Sequence, residues 1–355
     1  LTPRLVDWLI FLLVTFEVGT GLTSLTVGSW GGRWVFYAHG VAGLALVVLL
    51  FLKFRRVVHR LRRPAHWGPA TLVSIGASLA VLATVGTGVV WVVSQRPMGW
   101  PNGMNLHIVF ALVLIPLYPL HMALRWKLPH VREIKSRRAA LRSLGVLLAG
   151  GAAWGLQAGL NRLAGTAGGR RRFTGSLHAG SDTGNAFPTT SWMFDNPAPV
   201  DTATWRLRVG GAVRRELSLS YPEVVAIADR QRATLDCTGG WYSVQDWSGP
   251  RVAWLLDQAE PQANAVAVSF RSITGYRWSL PLADLREALL ATHVGGESLS
   301  HRHGAPLRLV APGRRGFQWV KWVQEVEVLT QPDYEQWLLI FTSSARLWPP
   351  TKAMT

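Results

Sequence analysis

Five apolar stretches crowd the first 165 residues, at roughly 7–27, 34–54, 69–93, 105–124 and 143–163. Each approaches or reaches the about 20 residues that a helix needs to cross the hydrocarbon core of a bilayer. Runs such as VAGLALVVLLFL and LVSIGASLAVLATVGTGVVWVV are apolar on every side, so the amphipathic helices of a water-soluble bundle do not account for them. A cleavable signal peptide does not account for them either, because one apolar run follows another. The first 165 residues are therefore expected to form an all-α transmembrane bundle of five helices.

Charge orients that bundle. The chain carries a net charge of +17 yet has a positive mean hydropathy of +0.18. The two coexist because the cations sit between the apolar runs. Lys53, Arg55, Arg56, Arg60, Arg62 and Arg63 lie between the second and third runs. Arg125, Lys127, Arg132, Lys135, Arg137, Arg138 and Arg142 lie between the fourth and fifth. The two opposite loops carry only Arg33 and Arg96. By the positive-inside rule the basic loops are cytoplasmic, the N-terminus is cytoplasmic and the fifth helix ends outside. The expected location is the cytoplasmic membrane, multi-pass and lipid-embedded, with the C-terminal domain extracytoplasmic or periplasmic. Much of the basic excess is thus topology, and with no base-reading motif present, nucleic acid is not an expected partner.

Residues 166–200 turn polar and rich in Gly, Ser and Thr, as a linker or irregular lead-in. Short alternating strands follow: TWRLRVGG, AVAVSF, YRWSLPL, LRLVAP and VQEVEVL. Two helical patterns, YPEVVAIADR and PLADLREALLAT, interrupt them. Residues 201–332 are expected to form a β-rich α+β domain, and 333–355 a C-terminal tail.

Ionisable side chains inside a bilayer are costly, so they are candidates for function. His39 lies about one turn into the second helix and His107 at similar depth in the fourth. Two facing neutral imidazoles in an apolar bundle suit a haem iron bound from both sides; interfacial histidines bonded to loop groups are the plainer alternative. His121 follows His107 by 14 residues, about 21 Å along a straight helix and on nearly the same face, a spacing that suits a second haem. Its partner is left open: position 53 is Lys, His59 is rotated to another face, and His66 precedes the third helix. His130, beyond Pro129, is expected to be solvated. With His39, His107 and His121 in helices, about 130 residues resemble a bacterial b-type cytochrome membrane domain of the cytochrome b561 kind.

The single cysteine, Cys237, excludes an intrachain disulfide and any cysteine-rich metal site. It sits in LDCTGGWYSVQDWSGPRVAWLLDQ. That segment, with SFRSITGYRWSLPL and HRHGAPLRLVAPGRRGFQWVKWVQEVEV, resembles the molybdopterin domain of the sulfite oxidase superfamily, in its methionine-sulfoxide-reductase-like form. The match covers about 100 residues in order. The resemblance implies that Cys237 binds molybdenum through its thiolate, a soft ligand suited to a redox metal; a buried structural cysteine is the alternative. It places His303, Arg308, the backbone of Trp319 and Val320, and Lys321 against the pterin, with a further hydroxyl from Ser272 or Thr274. FPTTSW is expected near the pterin without an assigned residue. Arg308 and Lys321 read alone would be surface cations. The arginine-rich anion pocket of sulfite oxidases proper has no counterpart motif here.

Such a domain receives its cofactor in the cytoplasm, as the resemblance implies, and must cross folded. Arg137–Arg138 before a helix rich in Gly and Ala has the form of an internal twin-arginine export signal; service to the positive-inside rule alone is the alternative. The expected whole is a molybdopterin-dependent oxidoreductase with Mo-molybdopterin and one or two haems b. It would exchange electrons with quinone or quinol and act on a small substrate, such as a sulfoxide or another oxygen-atom donor or acceptor. The other expectation is an electron-transfer or structural subunit of a larger respiratory complex with a non-catalytic domain. Trp319 and Trp322 as surface tryptophans, and the tail WLLIFTSSARLW, would then offer docking to other subunits.

Overall fold

The computed structural model describes residues 1–62, 67–93, 102–125, 136–191 and 195–342. Arg63, His66, Arg96, Lys127, His130, Arg132 and Lys135, and the tail beyond 342, lie outside the described residues. The chain divides into two units, Leu1–Leu177 and His178 onward. Residues 166–200, expected as one lead-in, are shared between them.

The first unit consists mainly of five helices long and apolar enough to cross a membrane: α1 (Pro3–Ser24), α2 (Arg33–Leu61), α3 (Pro69–Val93), α4 (Gly103–Arg125) and α5 (Arg137–Leu163). Their ends are set locally. Thr2 caps α1, its Oγ1 accepting from Leu5 N at 3.3 Å, with Pro3 at the first helical position. Ser136 caps α5 in the same way through Ala139 N at 3.1 Å. Pro116 and Pro119 interrupt α4, so the carbonyls of Leu112 and Ile115 lose their usual helical donors. Helices α1 and α2, α3 and α4, and α2 and α5 pack in pairs. A Cβ on Gly150 of α5 would stand 2.5 Å from the Val41 carbonyl and 2.8 Å from Ala45 Cβ, so only glycine permits that crossing. The buried centre is small, drawn from Val6, Ile10, Val14, Ala45, Leu49 and their neighbours. Large apolar side chains such as Leu79, Leu148 and Leu156 are more than 60% exposed.

The second unit is an α+β domain with mixed sheets. One sheet is built from β1 (Arg206–Gly211), β2 (Leu217–Ser220), β5 (Ala267–Ser272), β6 (Arg277–Pro281) and β11 (Val323–Leu329), in the order β2-β1-β11-β5-β6. Only the β1–β11 pair is parallel. The other principal element is a long hairpin, β3 (Asp229–Cys237) and β4 (Trp241–Gly249), paired without a slip from Asp229↔Gly249 to Cys237↔Trp241. Short strands β8 (His293–Val294) and β9 (Glu297–Ser298) extend it, and β7 (Leu289–Ala291) pairs with β10 (Arg308–Val310). The core joins Leu207, Trp247, Leu255, Phe270, Leu290, Leu309 and Val326.

Two expected helices change. YPEVVAIADR is helical only over α6 (Tyr221–Ala226); Asp229 and Arg230 already belong to β3. PLADLREALLAT is a 3-10 turn, Leu282–Leu285, followed by β7. Its residues Leu289–Ala291 are all buried, and a fully buried strand has no alternation to distinguish it from a helix. A helix not read from periodicity, α7 (Val252–Ala259), buries Val252, Leu255, Leu256 and Ala259 on one face. In the tail, α8 covers Gln336–Thr342.

Candidate functional site

Cys237 closes β3 at the tip of the hairpin, where Thr238, Gly239 and Gly240 reverse the chain. Gly240 takes φ 91° and donates to the Cys237 carbonyl at 3.1 Å, a left-handed conformation in which a side chain would be strained. The thiol is buried, at 6% exposure. Gly239 N–H points at Sγ from 3.3 Å, and Thr190 Oγ1 lies 3.6 Å from it. Trp241 Nε1 donates to the same hydroxyl at 3.2 Å. Thr190 comes from FPTTSW, and it supplies the residue that the sequence left unassigned there.

Beneath the hairpin tip is a buried ion pair. Arg315 Nη1 meets Asp236 Oδ1 at 2.9 Å, and Arg315 Nη2 donates to the Cys237 carbonyl at 3.2 Å. Both side chains are no more than 4% exposed. A Cβ on Gly316 would stand 3.1 Å from Cys237 Cα, which explains the glycine that follows Arg315. Neither Arg315 nor Asp236 stood out in the sequence, because a lone Arg and a lone Asp 79 positions apart carry no spacing signal.

Two cations lie within electrostatic reach of the thiol. Arg308, on β10, is buried rather than superficial, at 3% exposure. Its Nη1 donates to the His303 carbonyl at 3.0 Å, its plane lies over the rings of Trp247 and Trp319, and its Nε has no hydrogen-bond partner. Among the described residues no carboxylate pairs with it. Burial pushes its pKa down to about 10, against the pull of Cys237. Lys321 Nζ donates to Ser191 Oγ at 3.1 Å and to the Arg302 carbonyl at 2.9 Å. Burial, then the charge of Arg308, brings its pKa down to about 7. A Cβ on Gly304 (φ 113°) would stand 3.0 Å from Lys321 Cβ, so glycine is what lets this segment approach. The buried Arg308, repelled by Lys321 and with no carboxylate partner among the described residues, is balanced when an anionic group enters.

The other expected residues surround this centre. His303 is buried between Ser300 Oγ, 2.8 Å from Nδ1, and the Phe187 carbonyl, 3.0 Å from Nε2. A carbonyl only accepts, so Nε2 carries the proton and Nδ1 accepts from Ser300. Burial lowers the His303 pKa to about 4, keeping the ring neutral. Both nitrogens are therefore committed to the protein, and His303 pins the lead-in that brings Thr190 to the sulfur. Ser272 and Thr274 are buried and bonded together, Oγ1 to Oγ at 3.1 Å. Thr274 also bonds to Asp195, whose carboxyl burial raises to about 6 and which lies within electrostatic reach of Lys321. Trp319 and Val320 are each 1% exposed and Trp322 is 4% exposed, so these tryptophans are core and not surface residues. Trp319 N donates to Gly316 O at 3.2 Å, and Val320 O accepts from Leu309 N at 2.8 Å.

The helical unit brings a second set together. The rings of His39 and His107 face each other edge to face with centroids 6.0 Å apart. His107 Nδ1 meets the Thr84 carbonyl at 2.8 Å, so Nδ1 is the donor. His39 Nδ1 lies 2.9 Å from Thr20 Oγ1 and 2.9 Å from Glu17 Oε2. The Thr20 proton goes to backbone carbonyls, Phe16 O at 2.8 Å and Glu17 O at 3.2 Å. The Thr20 hydroxyl therefore accepts from His39, and Nδ1 is again the donor. His121 repeats the arrangement: its Nδ1 lies 3.1 Å from Ser74 Oγ, which donates to Ala70 O at 2.6 Å. All three imidazoles thus bond through Nδ1 and leave Nε2 as the unprotonated nitrogen. His121 lies within electrostatic reach of Lys53, Arg125 and Asp7. His59 is exposed, and among the described residues no ring contact joins it to His121. Glu17, Thr20, Ser74 and Thr84 went unread in the sequence; the signal available was a carboxylate and three hydroxyl-bearing residues inside apolar runs.

Comparison with known proteins follows this geometry. Residues 194–337 match the family model described as oxidoreductase molybdopterin binding domain. The protein-methionine-sulfoxide reductase catalytic subunit MsrP of Gluconobacter oxydans is 32% identical, over 43% of this chain and 54% of its own length. That of Xanthomonas axonopodis pv. citri is 30% identical, over 38% and 47%. The mitochondrial sulfite oxidase of Rattus norvegicus is 31% identical, over 40% and 32%. The chain spans about half the length of these bacterial relatives and a third of the sulfite oxidase. Residues 194–337 of the second unit thus match a molybdopterin-binding oxidoreductase domain and are similar to sulfite oxidase and to the bacterial reductases.

Proposed function

We propose that the chain is a membrane-anchored molybdenum oxidoreductase, coupling oxygen-atom-transfer chemistry outside the cytoplasm to haem b and the quinone pool. The observation that carries this reading is the setting of Cys237: a buried sulfur within electrostatic reach of Lys321 and of Arg308, a buried cation with no carboxylate partner among the described residues, inside a region that matches a molybdopterin-binding family. The donor set suits an anionic metal cofactor. Molybdenum on its pterin, when bound, supplies two-electron oxygen-atom transfer.

The protein's part is placement. Cys237 holds the metal, with the Gly239 N–H and the Thr190 hydroxyl fixing its sulfur. Arg308 and Lys321 neutralise the cofactor's negative charge, and the unpartnered Nε of Arg308 is a donor ready for it. Ser272 and Thr274, with the backbone of Trp319 and Val320, line the same site. His303 holds the lead-in in place. A sulfoxide is the favoured substrate class, since methionine sulfoxide reductase is what the bacterial relatives are named for.

In the helical unit, His39 and His107 ligate a haem b near the outer surface. His121 is the ligand proposed for a second, inner haem, whose partner is left open between His59 and His66. The shared tautomer of the three imidazoles and the facing of His39 and His107 support the haem reading. The five helices anchor the protein in the cytoplasmic membrane. Two arginines in the first turn of α5 oppose the helix dipole, which suggests that topology or twin-arginine export, not helix stability, selected them.

The test is an inventory of the purified full chain: molybdenum and haem b per polypeptide, followed by mixing dithionite-reduced protein with a sulfoxide. Molybdenum near one per chain, a Soret band and sulfoxide-driven haem oxidation are expected. Haem without molybdenum would instead support an electron-transfer subunit with an inactive domain.

A further inference from the structure

The two facing histidines are not equivalent. His107 gives its Nδ1 proton to a neutral acceptor, the Thr84 carbonyl, at 2.8 Å. His39 shares its proton between the Thr20 hydroxyl and the carboxylate of Glu17, each at 2.9 Å. Glu17 lies in the middle of α1, within FLLVTFEVGTG, where a carboxylate is costly without a partner. Its side chain is only 16% exposed. Its second oxygen, Oε1, is buried and makes no hydrogen bond. Gly43 on α2 and Gly21 on α1 pack beside the pair: a Cβ on either would make ordinary contact, at 3.6 Å from Oε2 and 3.6 Å from His39 Cε1 respectively. The carboxylate is thus aimed at one imidazole and at nothing else polar among the described residues except through that contact.

We infer that Glu17 is a positioning residue for the outer haem: it holds His39 through Nδ1 and makes that imidazole the more electron-donating of the two axial ligands. The inference rests on the haem reading above. A carboxylate behind an imidazole draws its proton and raises the basicity of the other nitrogen, whereas a carbonyl does so less. A more basic ligand stabilises ferric over ferrous iron and lowers the midpoint potential. A lower potential makes this haem the stronger reductant, the direction needed for electrons leaving the bilayer toward an oxygen-atom acceptor.

The experiment is optical redox titration of the full chain in detergent, beside a pyridine haemochrome count of haem per chain. In Glu17→Gln the amide oxygen still accepts from Nδ1, so haem content is expected to stay at the wild-type level. The outer haem should titrate higher, with the oxidised-to-reduced ratio at a fixed ambient potential falling about tenfold, or 59 mV for one electron. Glu17→Asp, which keeps the charge, should restore most of the difference. Thr20→Val removes the neutral acceptor and should move the ratio by much less than Glu17→Gln. An unchanged titration in Glu17→Gln at full haem content overturns the inference, as does a Thr20→Val shift as large as that of Glu17→Gln. Should Glu17→Gln fail to accumulate, Glu17→Leu is titrated in its place: a raised outer-haem midpoint at full haem content supports the inference, and an unchanged one overturns it. Wild-type protein without a Soret band would remove the haem reading itself, a separate result.

Discussion

The two units solve opposite problems with buried polar groups. In the helical unit the surroundings are apolar and the polar groups gathered there are imidazoles. Each is held by one hydrogen bond from its back nitrogen to a carbonyl or hydroxyl, with a single carboxylate added at Glu17. In the α+β unit the charge is already inside: Arg308 and Lys321 lie within electrostatic reach of Cys237, and Arg315, which bonds the Cys237 carbonyl, is paired with Asp236. On the reading proposed above, the first site would take a cofactor held by imidazoles in an apolar setting, and the second one that brings negative charge with it. The difference teaches that a neutral ligand set can be built complete, whereas a cationic one is finished only by its guest.

If the two sites are independent, breaking one should leave the other loaded. The largest effect is expected from Cys237→Ser: molybdenum content and turnover should fall to background while the Soret band stays, measured by metal analysis and absorbance on one sample. His107→Ala is the mirror experiment. The outer haem should be lost with molybdenum unchanged; loss of both would end the comparison. Next comes Asp236→Ala, which strands Arg315 as a buried unpaired charge. It should lower the stability of the second unit by about 3–5 kcal/mol in denaturant unfolding, with the helical unit's unfolding unchanged.

The smallest effect concerns an ordinary ion pair on the far side of the sheet, where charge is balanced within the protein. Arg277 Nε meets Asp333 Oδ2 at 2.6 Å. Desolvation pushes the Asp333 carboxyl up, but the hydrogen bonds and charge of Arg277 outweigh it and hold the pKa below the usual 3.8. A depressed native pKa contributes stability that is complete above the unfolded value and lost as pH falls through the native one. Asp333→Asn should therefore cost about 2 kcal/mol at neutral pH. The difference from wild type should close below about pH 4 in acid unfolding curves, near the unfolded value of a carboxylate.

How much was legible follows the same division. In the helical unit, run length located all five helices, and a histidine inside an apolar run is conspicuous on chemical grounds alone. Glu17 is equally conspicuous in FLLVTFEVGTG, and reading it required only the question that found His39. The helix prolines, Pro116 and Pro119, were in view too, but the effect on the 14-residue spacing of His107 and His121 depends on three-dimensional bending. The α+β unit was legible through resemblance, because its candidate site draws Thr190, Cys237, Thr274, Arg308 and Lys321 from strand ends and loops that no periodicity links. The burial of Arg308 and Trp319 could not be read from composition, since it depends on strands that pair after folding. The leucines of 281–292 misled for a related reason: their spacing fits a helix, and only the β10 partner at Arg308–Val310 makes a strand of their second half.

The nine-residue ladder that ends at Cys237 has a consequence for how this domain can change over time. Side chains alternate between the two faces of a strand, so a shift of one position in its pairing sends every one of them to the other side. Gaining or losing a single residue within 229–249 would turn the sulfur away from the cations while leaving the composition nearly untouched. Lineages that keep the enzyme should thus tolerate substitutions along the hairpin far more readily than any change in its length.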